Sequence, residues 1–181
     1  MKTIVFGSTG FIGSHLYTEL KNQGHDVIGI SRNGQDEQLD LVNDDINKIG
    51  TVRAKFNPDT IFQYAADPLV KNFDHKTTQN NILATHKLLD CTPPNCMFVF
   101  ASSATVYGPH STRRNTQHKP RPKSVYGLGK LYCEDLIWLY YKTYKKLSDY
   151  RILRHCAHVG GKSTHGLCHD IVEKLRGPSD N

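Results

Sequence analysis

Short, almost purely apolar runs alternate along this chain with longer stretches in which apolar residues recur every three or four positions. The first pattern predicts buried β-strands and the second amphipathic helices. Residues 3–6 and 27–30 read as strands, and between them Ile12, Leu16 and Leu20 repeat at helical spacing until Gly24. Residues 39–41 predict a short third strand, 45–56 a helix ended by Asn57-Pro58, and 61–65 another strand. A helix over 78–89, with Ile82, Leu83, Leu88 and Leu89 on or near one face, leads through a Pro93-Pro94 loop to a continuous apolar strand at 97–101. After a polar connection bearing Pro109, Pro120 and Pro122 come a long helix over 125–145, a strand at 150–153 and an amphipathic candidate at 167–175. Apolar strands alternating with helices predict an α/β fold, a doubly wound parallel sheet covered on both faces.

Size limits this to one domain with a sizeable core, since the chain has 181 residues, 38% of them hydrophobic and 22% charged. No apolar run approaches the roughly 20 residues that cross a bilayer, and no cleavage-site pattern follows Met1-Lys2, so a cytoplasmic protein without membrane partners is expected. Cys91, Cys96, Cys133, Cys156 and Cys168 are spaced too irregularly for a disulfide framework and are expected as free thiols. The net charge of +6 would suit nucleic acid, but the basic residues lie in local clusters (Arg113-Arg114, 118–123, 142–146) without interleaved aromatics; no nucleic-acid partner is expected. His155, His158, His165 and His169, with Cys156 and Cys168 among them, lack the paired spacing of a metal site, and none is expected. Trp138, flanked by Leu136, Ile137, Leu139 and Tyr140, is expected on the buried side of the long helix.

Three segments carry chemistry. The first, Gly7-Ser8-Thr9-Gly10-Phe11-Ile12-Gly13, lies between a strand and a helix, where a pyrophosphate needs backbone N–H groups and no Cβ in the way. Gly7 suits the tight turn, Gly10 the close approach of backbone to phosphate, and Gly13 the packing of helix on strand. Its G-x-x-G-x-x-G spacing departs from G-x-G-x-x-G, so its position in the strand-helix unit is the stronger signal. At the end of the second strand, where an NAD site has an acidic residue, stand Ser31-Arg32; the arginine fork can pair with a 2′-phosphate and the serine can add a hydrogen bond, which favours NADP over NAD. Asp40-Leu41 are placed to meet the adenine ring. The second segment, 102–108, puts hydroxyls at the carboxyl end of a strand. The third, Tyr126-Gly127-Leu128-Gly129-Lys130, sets a phenol and an ammonium on one helix face, where the cation favours the phenolate and makes Tyr126 a candidate general acid or base.

Taken together, these segments resemble the extended short-chain dehydrogenase/reductase family, the NAD(P)-dependent nucleotide-sugar epimerases, dehydratases and reductases. The resemblance rests on 7–16, Gln63-Tyr64-Ala65-Ala66, Asn81-Ile82-Leu83-Ala84-Thr85, 102–108, 126–130 and 154–161, in the family's order and approximate spacing. It implies an NAD(P)-binding Rossmann domain over residues 1–159 and the start of a truncated substrate-binding lobe over 160–181. It also implies that Ser103 orients the substrate oxygen, that Tyr126 exchanges its proton, and that Lys130 holds the nicotinamide ribose and lowers the tyrosine pKa. Phe11, Ile12, Asp40, Leu41, Tyr64, Ala65, Ala66, Asn81 and Cys156 are implied along the cofactor, and a homodimer through the helix at 125–145. A nucleotide sugar is the implied substrate, with a weakly active dinucleotide-binding module or sensor as the alternative. Ala104-Thr105 after Ser103 resembles the epimerase version and supplies no acid for dehydration. Departures are Ala157 in place of the family's asparagine, Gly129 in place of a common serine, and a basic loop at 110–123 where relatives carry an acidic element.

Overall fold

In the computed structural model, residues 1–66, 75–109, 114–160 and 167–176 are described. Six strands, β1 (Lys2–Phe6), β2 (Asp26–Ser31), β3 (Glu37–Gln38), β4 (Thr60–Gln63), β5 (Met97–Ser103) and β6 (Asp149–His155), form one sheet in the order β3-β2-β1-β4-β5-β6. Every neighbouring pair is parallel. The helices are α1 (Phe11–Asn22), α2 (Ile46–Phe56), α3 (His75–Cys91), α4 (Val125–Lys142) and α5 (Leu167–Arg176), with a 3₁₀ turn at Ala104–Tyr107. Arg113 and His165 lie outside the described residues, as do the side chains of Cys168 and His169.

Side chains of a strand alternate between faces, and that alternation divides the core. Ile4 and Phe6 join Ile30, Ile61, Phe98 and Phe100 on the side where Ile49 of α2, Leu88 and Leu89 of α3 and Ile137 of α4 pack. Val5 faces the other way, onto Leu20 of α1 and Val27. Full burial of each such side chain stabilises by about 2 kcal/mol. The chain winds outward from β1 to β3, then returns to the far side of β1 as β4. The strand order therefore reverses between β1 and β4, and their carboxyl ends open a crevice.

Four expectations need correction. The third strand is Glu37–Gln38, not residues 39–41. The Asp40 carboxylate accepts from the backbone N–H groups of Val42 and Asn43, turning the chain out of the sheet and leaving Leu39 and Leu41 buried beside it. β5 continues through Ser102 and Ser103, so these hydroxyls sit on the strand and only the 3₁₀ turn follows it. The long helix stops at Lys142: Thr143 and Tyr144 both donate to the Leu139 carbonyl, and Lys145 turns left-handed at φ 52°, dropping Leu147 into the core. Trp138 is 49% exposed. The inward stripe of α4 runs through Lys130, Cys133, Glu134, Ile137 and Tyr140, and Trp138 lies off it.

Candidate functional site

β1 ends at Gly7, whose N–H donates to the Ile30 carbonyl at 2.8 Å and whose φ of +83° is the left-handed conformation that favours glycine. A Cβ on Gly7 would lie 2.5 Å from the backbone nitrogen of Ala65, so the turn is pressed against the end of β4. A Cβ on Gly13 would lie 2.2 Å from the Gly7 carbonyl oxygen, which makes Gly13 the contact between α1 and the turn. Gly10 is the N-cap of α1, and no side chain caps the helix and no acidic residue stands in its first turn. The first N–H groups of α1 are thus positioned for an anion, with the helix dipole favouring one. Ser8 is buried against Gly29, where a Cβ would meet the Ser8 hydroxyl at 2.8 Å. Gly29 escaped the sequence reading, although an isolated glycine in a strand marks such a close approach.

From this turn a cleft of about 200 Å³ runs over the sheet. Gly7, Thr9, Gly10, Ser31, Arg32, Asp40, Leu41, Tyr64, Ala65, Ala66 and Asn81 line it, together with Asn33, Val42 and Asn80, which were not anticipated. Phe11, Ile12 and Gly13 do not line it; they form the first turn of α1, where the Phe11 ring packs edge-on against His15. Cys156 is exposed beyond the end of β6 and lines neither this cleft nor the smaller one described below. Ser31 is buried and its hydroxyl donates to the Gly34 carbonyl at 2.8 Å, so it has no proton to offer a phosphate. Arg32 is exposed at the rim. Burial works against the Asp40 carboxylate, but hydrogen bonds from Asn43 and Val42 and the charge of Arg32 outweigh it and hold the group below the usual carboxylate range.

At Ala65, Ala66 and Asn81 the cleft meets a second, smaller pocket, lined also by Tyr126, Lys130, Gln63, Thr85 and Cys133. The Ser103 oxygen accepts from the Thr105 N–H at 3.2 Å and from the Thr105 hydroxyl at 2.9 Å, which leaves its own proton to be donated toward the Tyr126 phenol or a substrate oxygen. Ser124 caps α4 by accepting from the Gly127 N–H at 3.0 Å, and this start of the helix carries Tyr126. Burial raises the Tyr126 pKa, and a hydrogen bond with Ser103 opposes the rise. Lys130 is not among the groups that move it, contrary to the expectation from their spacing. Its ammonium lies 5.8 Å from the centre of the Tyr126 ring and directs one hydrogen bond to the Ala101 carbonyl of β5 at 2.7 Å. Burial lowers the Lys130 pKa to about 8, while Cys133 and Glu134 act to raise it. Gly129, the departure from serine, leaves a space that the Thr78 methyl fills: a Cβ there would lie 2.4 Å from it.

Beneath these groups is a buried network that sequence reasoning missed. Glu134 accepts from the Ser102 hydroxyl and from Arg154, whose Nε and Nη2 lie 3.0 and 2.6 Å from its two oxygens. Arg154 also donates to the Tyr107 hydroxyl at 2.6 Å. A charged residue inside the apolar stripe of a helix was the available signal. His155, the register partner of Ser103 at the end of β6, has its pKa lowered by burial, by His158 and by Lys130. Among the described residues no group of three metal-ligating side chains occurs, and no helix is long and apolar enough to cross a membrane. Burial pushes the Cys91, Cys96 and Cys133 thiols upward, Cys96 to about 12, which fits packing residues rather than nucleophiles.

A parallel sheet in this order, with an uncapped glycine-led helix at its point of reversal, defines a dinucleotide-binding domain. Residues 3–176 match the model of the NAD dependent epimerase/dehydratase family, and the chain belongs to that family. An uncharacterized UDP-glucose epimerase of Bacillus subtilis (strain 168) is 30% identical over 167 residues, covering 80% of this chain and 53% of its own. The UDP-glucose 4-epimerase of Mycolicibacterium smegmatis is 28% identical over 192 residues, 92% of this chain and 57% of its own. Among solved structures, the Thermus thermophilus UDP-glucose 4-epimerase in complex with NAD superposes with a TM-score of 0.83 at 26% identity, over 96% of this chain and 61% of its own. The UDP-glucuronic acid 4-epimerase of Bacillus cereus, in complex with UDP-glucuronic acid and NAD, gives 0.80 at 26%, over 97% and 63%. The chain spans about half the length of the curated relatives it matches.

Proposed function

We propose that this chain binds a nicotinamide dinucleotide along the cleft and takes part in epimerising a nucleotide-linked sugar, with Ser103, Tyr126 and Lys130 as the reacting group. The observation that supports this most is the continuity of the cleft: it starts at an uncapped helix where Gly7 and Gly13 admit no Cβ and reaches Tyr126 and Lys130 through shared residues Ala65, Ala66 and Asn81. When bound, the nicotinamide supplies hydride acceptance and return. Tyr126 in its phenolate form takes the proton of the sugar hydroxyl and gives it back, and the hydrogen bond from Ser103 favours that form against burial. Ser103, its oxygen already accepting two hydrogen bonds from Thr105, donates to the substrate oxygen. Lys130 uses one of its three protons on Ala101 and keeps the others for the nicotinamide ribose. Thr105 is committed to Ser103, and Ala104 carries no acid, which favours epimerisation over dehydration.

At the adenosine end, exposed Arg32 with no carboxylate at the end of β2 favours NADP, although the solved neighbours hold NAD. Exposed Leu128, Tyr132 and Trp138 support α4 as a contact between two copies. Residues 160–181 are proposed as the beginning of the substrate lobe. Titration with NADH and NADPH, read by nicotinamide fluorescence, tests the first step, and binding of neither refutes the whole reading. Turnover of a panel of UDP-sugars by wild type and Tyr126→Phe tests the second. The phenylalanine variant is expected to keep cofactor affinity and lose about 10²-fold or more in rate. Equal rates refute Tyr126, and binding without turnover of any sugar by wild type favours a binding module.

A further inference from the structure

We infer that Glu134 is the positioning residue of this site, a buried carboxylate that holds in register the separate elements carrying Ser103, Tyr126 and Lys130. This rests on the function proposed above. Glu134 is 4% exposed and sits one helical turn beyond Lys130 on α4. Its partners come from the elements that flank Ser103. Ser102, next to Ser103, belongs to β5; Arg154, next to His155, belongs to β6; Tyr107, held through Arg154, ends the 3₁₀ turn that begins after Ser103. The Arg154 guanidinium also lies over the Tyr107 ring, 4.8 Å from its centre.

A carboxylate is the group this geometry requires. Three donors converge on two oxygens: the Ser102 hydroxyl and the Arg154 Nε on one, and the Arg154 Nη2 on the other. A glutamine would turn an NH₂ toward one of these donors, so the amide leaves at least one link broken. A buried pair of charges adds little to stability over well-packed apolar residues, and its best-attested use is to fix an arrangement. The arrangement fixed here is the distance between β5 and α4, across which the Lys130 ammonium reaches the Ala101 carbonyl at 2.7 Å.

Glu134 also bears on the charge of Lys130. The groups that face this ammonium are Tyr126, Cys133 and Glu134 on α4, Ala101 and the Phe100 ring on β5, and His155 on β6. Burial lowers the Lys130 pKa, and Cys133 and Glu134 oppose it. Removing the negative charge at 134 therefore weakens proton retention at 130 without touching the glycine turn.

The test uses Glu134→Gln in the full chain. The ¹³Cε resonance of Lys130 is titrated in wild type and variant, NADH affinity is measured by fluorescence, and the pH profile of UDP-sugar turnover is recorded. The Lys130 midpoint is expected to fall below its wild-type value, NADH affinity to stay within about threefold, and turnover to drop about 10²-fold with its alkaline limb moved to lower pH. An unmoved midpoint with affinity and turnover lost in parallel overturns the inference and leaves Glu134 structural. Should the variant fail to fold, Ser102→Ala and Tyr107→Phe each cut one link and spare the ion pair. Both are expected to lose turnover by a larger factor than affinity, and wild-type turnover in both overturns the inference. Loss of turnover in Tyr126→Phe with none in Glu134→Gln sinks this inference alone; no loss in either sinks the proposed function.

Discussion

Gly13→Ala is a substitution whose sign can be worked out from the packing of the turn. A Cβ at this position would lie 2.2 Å from the Gly7 carbonyl oxygen and 2.9 Å from its carbon, against an ordinary contact of 3.4 Å or more. Both atoms are backbone, so the start of α1 must retreat by about 1 Å. Helix propensity pulls the other way, since alanine is preferred to glycine by up to about 1 kcal/mol. Overpacking costs about 1–3 kcal/mol, and more where nothing nearby can yield. The net expectation is a loss of roughly 1–2 kcal/mol, or about 3–6 °C in Tm for a domain of this size.

Moving the first turn also withdraws the N–H groups of Phe11 and Ile12 from the anion, so affinity for NADH and NADPH falls at least about tenfold, equivalent to 1.4 kcal/mol. Gly50→Ala in α2 is the matched control, because its Cβ meets only the Cys91 sulfur at 3.8 Å. That variant keeps the propensity gain, melts slightly higher and binds cofactor as wild type does. Thermal melts and fluorescence titrations of the two proteins side by side make the comparison. If Gly13→Ala is stabilised as Gly50→Ala is and binds cofactor normally, the close contact between α1 and the turn does not hold the pyrophosphate site.

Arg32→Ala is expected to weaken NADPH binding roughly 10- to 100-fold, the worth of a charge-assisted contact to phosphate, and to leave NADH within about twofold. Equal losses for the two cofactors would show that Arg32 does not read the 2′-phosphate. Lys130 is held at about 8 in the fold against 10.5 in the free chain, so between those values the unfolded chain retains a proton that the folded one has released, and stability rises with pH. Lys130→Met should abolish a rise of about 3 kcal/mol between pH 7 and 11, read as the difference between urea melts of the two proteins. The same slope in both would refute the depressed pKa.

What could be read from the chain follows from the range of the interaction involved. Gly7, Gly10 and Gly13 act within one turn, so their purpose was legible from spacing and neighbours. The strand order was partly legible because apolar runs alternate with helices and crossovers are right-handed. The third strand was misplaced because Leu39 and Leu41 are buried, as strand residues would be, yet the Asp40 side chain captures the backbone that a sheet would have used. Trp138 misled for a related reason. Its neighbours Ile137 and Tyr140 are core, and an apolar residue off the inward stripe cannot be distinguished by composition. Glu134 depends on partners distant in the chain, Ser102 and Arg154, so its charge inside the apolar stripe could be seen but not what it binds; Ser31 instead bonds to Gly34 three residues on, a local turn that its place at a strand end did not betray.

The residues proposed to recognise the dinucleotide and those proposed to handle the proton fall on opposite halves of the sheet. The turn, Arg32 and Asp40 belong to β1, β2 and the loop after β3, whereas Ser103, Lys130, Glu134 and Arg154 belong to β5, β6 and α4. Among the described residues, those touching both pockets are Ala65 and Ala66, just after β4, and Asn81 of α3. The Asp40 side chain bonds to Val42 and Asn43, and the side chains of Ser103, Lys130, Glu134 and Arg154 bond within β5, the 3₁₀ turn, α4 and β6, so substitutions at these side chains are expected to add independently across the two halves. On the proposed function, affinity for the adenosine and pyrophosphate portion is then expected to be set independently of the geometry at Tyr126. For this reason cofactor binding alone cannot diagnose catalysis here, and the charge state of Lys130 is the more informative reporter of whether the reacting end is assembled.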